Sequence, residues 1–145
     1  MSKPEFFVTL GYGERQFRTF HYSQAVKIGN RVETSGQGGW NHNWEFPESL
    51  TDEIAQAFRN VERTLASVGA AWQHVIEVNS YHVGFPEEVN QTMTERFRHY
   101  MPDRAPIWTA LGVSALGDPK NAGRDSRYSH SPGIMRPRKD RTPEC

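Results

Sequence analysis

The order of elements in this sequence predicts an α+β domain in which one mixed sheet carries two helices on one face. Three observations lead there: a hairpin signal at Gly29-Asn30, two stretches whose apolar residues recur every three or four positions, and a β-favouring run after each of those stretches.

The hairpin lies in residues 24–35, QAVKIGNRVETS, where Gly29 and Asn30 both tolerate the positive φ of a two-residue turn. Its second run leads into Ser35-Gly36-Gln37-Gly38-Gly39-Trp40, whose glycines let the backbone bend or approach another group closely. Residues 49–68 place Leu50, Ile54, Phe58, Val61, Leu65 and Val68 on one side of a helix. Ser49 and Asp52 resemble a capping box at its start, and Gly69 is its stop. A strand is expected over residues 75–83. Pro86 then suits a first helical turn, with Val89, Met93, Phe97 and Tyr100 at helical spacing up to Pro102. Residues 107–116, IWTALGVSAL, read as a further strand. Right-handed crossovers put both helices on the same face, and the other face then needs cover, which a second copy of the chain can supply.

Residues 1–120 read as a single domain and residues 121–145 as a disordered tail. From Gly117 onward there are four prolines, three glycines and few large apolar residues. The hydrophobic fraction of 36% is low for a domain, and the mean hydropathy of −0.74 is polar. Residues 1–120 hold 11 Lys/Arg against 14 Asp/Glu, and residues 121–145 hold 6 against 3. An acidic body lacks the basic face that nucleic acid requires, so no nucleic-acid partner is expected. Cys145 is the only cysteine, which rules out an intrachain disulfide and a multi-cysteine zinc site. No apolar run approaches the roughly 20 residues of a membrane span, and no leader pattern opens the chain, so a cytoplasmic protein is expected. None of the histidines 21, 42, 74, 82, 99 and 130 forms a zinc-helix spacing, and no phosphate-binding glycine motif or G-x-S-x-G elbow occurs. Neither a metal nor a cofactor is expected.

Tyr22-Ser23-Gln24 before the hairpin, Gly29-Asn30 at its turn, Ser35-Gly36-Gln37 after it, Asn60 and Gly69 around the first helix, Asn90 in the second, and Pro106 with Thr109 entering the next strand stand in a fixed order. Over residues 22–116 this set resembles the reactive-intermediate deaminase family, Rid or YjgF. The resemblance implies a chorismate-mutase-like fold, a homotrimer, and ligand clefts between subunits that take a small-molecule metabolite. It also implies hydrolysis of reactive enamines or imines to a keto acid and ammonia.

Residue by residue, the resemblance makes Tyr22 and Asn90 candidate catalytic groups at the cleft. Gly36, Gln37, Trp108 and Thr109 become candidate substrate-binding positions. Three have a plain structural alternative: a half-buried strand tyrosine at 22, capping or loop polar groups at 37 and 90. Typical family deaminases carry an arginine at the position of Trp108. An indole has one donor and no charge, so it cannot hold a carboxylate as a guanidinium does. The departure argues for an aromatic or uncharged ligand stacked on Trp108, or for a tryptophan that only fills an interface. Arg104, four residues upstream, reads as a surface residue of the turn.

The family ends on a strand with Val-Glu-Ile or an equivalent, whose glutamate positions the attacking water, and nothing in residues 121–145 matches it. The run NAGRDSRYSHSPG can be encoded by codons that, read one base later, give M-P-V-E-I-R-G-I-A-I-A-P. The tail is therefore also a candidate frameshifted terminal strand. Two functions follow: deamination of an enamine, imine or related conjugated metabolite in intersubunit clefts, or a non-catalytic metabolite-binding or protein-interaction trimer.

Overall fold

The computed structural model describes residues 3–117 and, for the backbone, residues 130–133. Its elements run β1 (Glu5–Phe7), α1 (Tyr12–Phe20), β2 (Ala25–Ile28), β3 (Arg31–Thr34), α2 (Leu50–Ser67), a 3-10 turn (Trp72–His74), β4 (Glu77–Val83), α3 (Glu87–Tyr100), β5 (Ile107–Val113) and β6 (His130–Gly133). The α+β class holds. The strand pairing falls into two three-stranded sheets, where the sequence reading drew one: an antiparallel β1-β2-β3 and a mixed β5-β4-β6.

The hairpin forms where expected, with Ile28 opposite Arg31 and Gly29 at φ 59°. Ser49 caps α2 by accepting the Asp52 N–H at 3.1 Å. The helix buries Leu50, Ile54, Phe58, Val61 and Leu65, the stripe that the sequence spacing marks. That stripe meets Val78 of β4, Val89 and Met93 of α3, and Trp72, whose ring stacks on Phe58 at 4.7 Å. Both long helices therefore cover the same face of β4 and β5. Along β4 the residues Val78, Ser80 and His82 are buried, and Glu77, Asn79 and Tyr81 are half-buried on the opposite face.

Two elements were not predicted. β1 pairs with β2, and α1 fills residues 12–20. The buried positions of α1 are Tyr12, Gly13 and Gln16, so its inward face is largely polar and leaves no apolar stripe in the sequence. Hydrogen bonds from this inner face hold the helix, and aromatic contacts further along it add to them. Phe20 stacks on Trp44 at 6.0 Å, and the Arg15 guanidinium lies 4.4 Å from the same indole. It ends at His21, whose backbone takes the left-handed conformation (φ 55°) and donates to Phe17 O at 2.9 Å.

β6 departs from the expectation of an unpaired tail. His130–Gly133 pairs antiparallel with β4, His82 opposite His130 and Asn79 opposite Gly133. Backbone pairing is indifferent to the apolar content that the sequence reading relied on, and it satisfies the N–H and C=O groups on the second edge of β4. The remainder of the tail, and with it most of the frameshift question, lies outside the described residues.

Candidate functional site

The left-handed turn at His21 delivers Tyr22 to a cleft of about 460 Å³, between the end of α1 and the β2-β3 hairpin. Phe6, Phe17 and His21 give it aromatic walls, and Tyr22, Glu33 and Ser35 supply polar groups. Phe6 is 67% exposed, so this apolar wall stands open.

Gln16 fixes the phenol. Its Oε1 accepts the Tyr22 hydroxyl at 2.7 Å and also faces Nε2 of Gln24 at 3.4 Å. Gln24 is fully buried, and its own Oε1 accepts the Thr9 N–H at 3.0 Å. A Cβ on Gly13 would stand 2.7 Å from that oxygen, so only glycine lets the helix come this close. On the other side of Gln24, its carbonyl accepts the Ser35 N–H at 2.8 Å. Tyr22 and Ser35 are thus set by one hydrogen-bonded frame centred on a buried glutamine. Thr34, also at the cleft, keeps a buried hydroxyl with no partner among the described residues, an unmet polar group of the kind that a ligand or water satisfies.

Gln37 sits deeper. It is fully buried, accepts from Tyr12 Oη at 2.8 Å, and aims Nε2 at Ser35 O at 3.3 Å. Burial raises the Tyr12 phenol above its ordinary value, which keeps it protonated as the donor in that bond. Asn60 ties the glycine-rich loop to α2, donating to Gly38 O and Trp40 O at 2.7 Å each.

The sequence candidates do not converge within one chain. Tyr22 lines the cleft, Gly36 is exposed just past the cleft residue Ser35, and Gln37 acts from beneath through Ser35. Asn90 is exposed on α3, and its carbonyl accepts from Thr94 Oγ1 at 2.7 Å. Thr109 is exposed on β5, opposite Asn79. Trp108 faces the helices: its ring packs edge-on to Phe97 at 5.3 Å and its Nε1 donates to Ser80 Oγ at 2.9 Å. Arg104 donates to the carbonyls of Val75 and Gln73, a turn-bracing role in keeping with its surface reading.

A buried polar cluster escaped the sequence reading. Ser80 Oγ, already accepting from Trp108, lies 2.8 Å from His82 Nε2, and burial lowers the His82 pKa from 6.5 to about 4. The Trp108 indole can only donate, so it takes one acceptor site of the serine hydroxyl, and the imidazole tautomer sets which way the second bond runs. Also missed were Gln16, Phe17 and His21, which belong to an unpredicted helix and its end. Among the described residues no three His, Cys, Asp or Glu side chains gather to hold a metal ion, and no helix is long and apolar enough to cross a membrane.

Comparison with known proteins places the chain in a family. The model of the family described as endoribonuclease L-PSP matches residues 15–122. The chain is 37% identical over 105 residues to a 2-iminobutanoate/2-iminopropanoate deaminase of Dermatophagoides farinae, covering 70% of this chain and 77% of that one. It is 30% identical over 95 residues to the RutC family protein YjgH of Escherichia coli strain K12, covering 66% and 72%. Among solved structures it resembles Rv2704 of Mycobacterium tuberculosis, a member of the YjgF/YER057c/UK114 family, with a TM-score of 0.71 at 18% identity over 94% of this chain and 100% of that one.

Proposed function

The chain belongs to the Rid/YjgF family, and from that premise we propose that it hydrolyses a small reactive imine or enamine in the cleft at Tyr22, releasing ammonia. The observation that carries this reading is the Tyr22 phenol, held at the cleft by Gln16. Its proton is committed to Gln16, so toward a ligand the phenol oxygen can act only as an acceptor, from an iminium N–H or a water. In the reaction, water adds through oxygen to the C=N carbon and one of its protons moves to nitrogen. The C–N bond then breaks as the remaining hydroxyl proton passes to nitrogen, giving a carbonyl compound and ammonia. Such chemistry asks mainly for orientation and a proton acceptor. The name of the Dermatophagoides farinae relative supports the reaction class.

The cleft's composition favours an apolar or aromatic imine. None of its described lining residues is Lys or Arg, and Phe6 and Phe17 stand where a ring can pack. Trp108 adds no carboxylate anchor, because its indole N–H is used by Ser80. That same observation favours a second reading, a trimer that binds a metabolite without turning it over.

We assign the active assembly to a homotrimer in the cytoplasm. Ile107, 68% exposed, and Leu111, 49% exposed, support it, since they share the outer side of β5 and need cover. Ammonia release from a panel of freshly generated imines tests the proposal. Expected is turnover of aromatic imines that falls at least about tenfold in Tyr22→Phe. Saturable binding of the panel with no ammonia above the uncatalysed rate would leave the second reading in its place.

A further inference from the structure

A second cleft, of about 420 Å³, opens elsewhere on the surface and shares no lining residue with the first. Its walls are Thr9, Leu10, His42, Arg63, Ala66 and Ser67. Leu10 is 76% exposed, and Arg63 has no carboxylate partner among the described residues.

His42 is placed with care. Its ring lies 5.8 Å from the buried Tyr12 ring, and Nδ1 faces the Tyr12 N–H at 3.3 Å, at the start of α1. Gly11, at φ 83°, makes room, for a Cβ there would come within 2.1 Å of Nδ1. The other ring nitrogen, Nε2, meets Nη1 of Arg63.

Both neighbours of this imidazole are donors only: a backbone N–H and a guanidinium. A neutral imidazole carries one N–H and an imidazolium two. In every protonation state at least one donor therefore faces another donor. The arrangement is one acceptor short at its solvent-facing end, beside an uncompensated positive charge.

We propose that this cleft binds a short-chain carboxylate, whose oxygens accept from the Arg63 guanidinium and the His42 Nε2–H while its alkyl tail lies on Leu10 and Ala66. A carboxylate has the planar pair of acceptors that an arginine fork fits. The apolar wall explains why the cleft is larger than a bare ion needs. This site does not rest on the reaction assigned to Tyr22, and its test reads binding alone.

The test is a titration of the full ¹⁵N-labelled chain with isovalerate, isovaleramide and inorganic phosphate, following the His42 imidazole resonances by NMR. Isovalerate should shift them saturably. Isovaleramide, the same tail without the charge, should bind at least about tenfold more weakly, as should isovalerate to Arg63→Gln. Arg63→Lys should retain part of the affinity, and Leu10→Ser should weaken isovalerate but not phosphate. Equal response to isovalerate and isovaleramide would overturn the proposal. So would phosphate binding as tightly as isovalerate with no effect of Leu10→Ser, the mark of a bare ionic patch. If Arg63→Gln fails to fold, the amide comparison and Arg63→Lys still decide.

Discussion

The Tyr22 hydroxyl and the Gln16 side-chain carbonyl lie 2.7 Å apart, and this one bond joins a helix with a polar inner face to the residue that lines the cleft. The phenol therefore cannot rotate its proton toward a ligand without giving up Gln16.

Gln16→Leu should lower imine turnover about tenfold, because Tyr22 loses its fixed orientation and Gln24 Nε2 loses an acceptor. Gln16→Glu, which keeps an oxygen in place, should retain most of the activity. Steady-state kinetics of the two variants checks this: equal losses would mean that α1 matters only for stability.

Trp108→Arg should not create a carboxylate site. The substitution removes an indole packed on Phe97, takes away the donor to Ser80, and puts a charge against the core. A stability loss of about 2–4 kcal/mol is expected in denaturant titration, with no gain in turnover of an imino acid over a neutral imine. Increased imino-acid turnover at unchanged stability would show that residue 108 can reach the ligand.

Acid should weaken the fold through His82. Its folded pKa, about 4, lies below the ordinary 6.5, so the unfolded chain binds the proton more readily between those values. Stability thus falls as pH drops from about 6.5 to 4, by up to about 3 kcal/mol, and is restored on raising the pH. His82→Gln, which does not titrate, should flatten that part of the thermal-melt profile. An unchanged slope would assign the acid sensitivity to other groups.

Leu111→Asp or Ile107→Asp should break the assembly with little harm to the monomer fold, since both side chains are largely exposed. Light scattering should pass from trimer to monomer mass in either variant. A wild-type chain that is monomeric at micromolar concentration removes the basis for this expectation.

Legibility followed the distribution of apolar residues. Leu50, Ile54, Phe58, Val61 and Leu65 repeat at helical spacing and also form the core, so α2 could be read directly. The Gly29-Asn30 turn was equally plain, because two-residue hairpins demand those residue types. Helix α1 was not, for its buried residues are a tyrosine, a glycine and a glutamine joined by hydrogen bonds to distant partners. β6 was invisible for a related reason: backbone pairing to β4 leaves no mark in an apolar pattern, and Pro132 in its midst argues against a strand. Around the cleft of the single chain, the resemblance named Tyr22 as a candidate but not Phe6, Phe17 or Glu33, which come together only once β1, α1 and the hairpin are packed. Trp108 was read as stacking on a ligand or filling an interface, and no motif tells which side of β5 an indole takes when Ser80 offers it an acceptor.

The frame that runs from Tyr22 through Gln16 and Gln24 to Ser35 has a consequence in time. Its bonds exist before any ligand arrives, so the polar part of the cleft has nothing to assemble on encounter. Association should then be a single collision-limited event. In stopped-flow mixing the observed rate should rise in proportion to ligand concentration without levelling off, and selectivity among imines should reside in how slowly each departs.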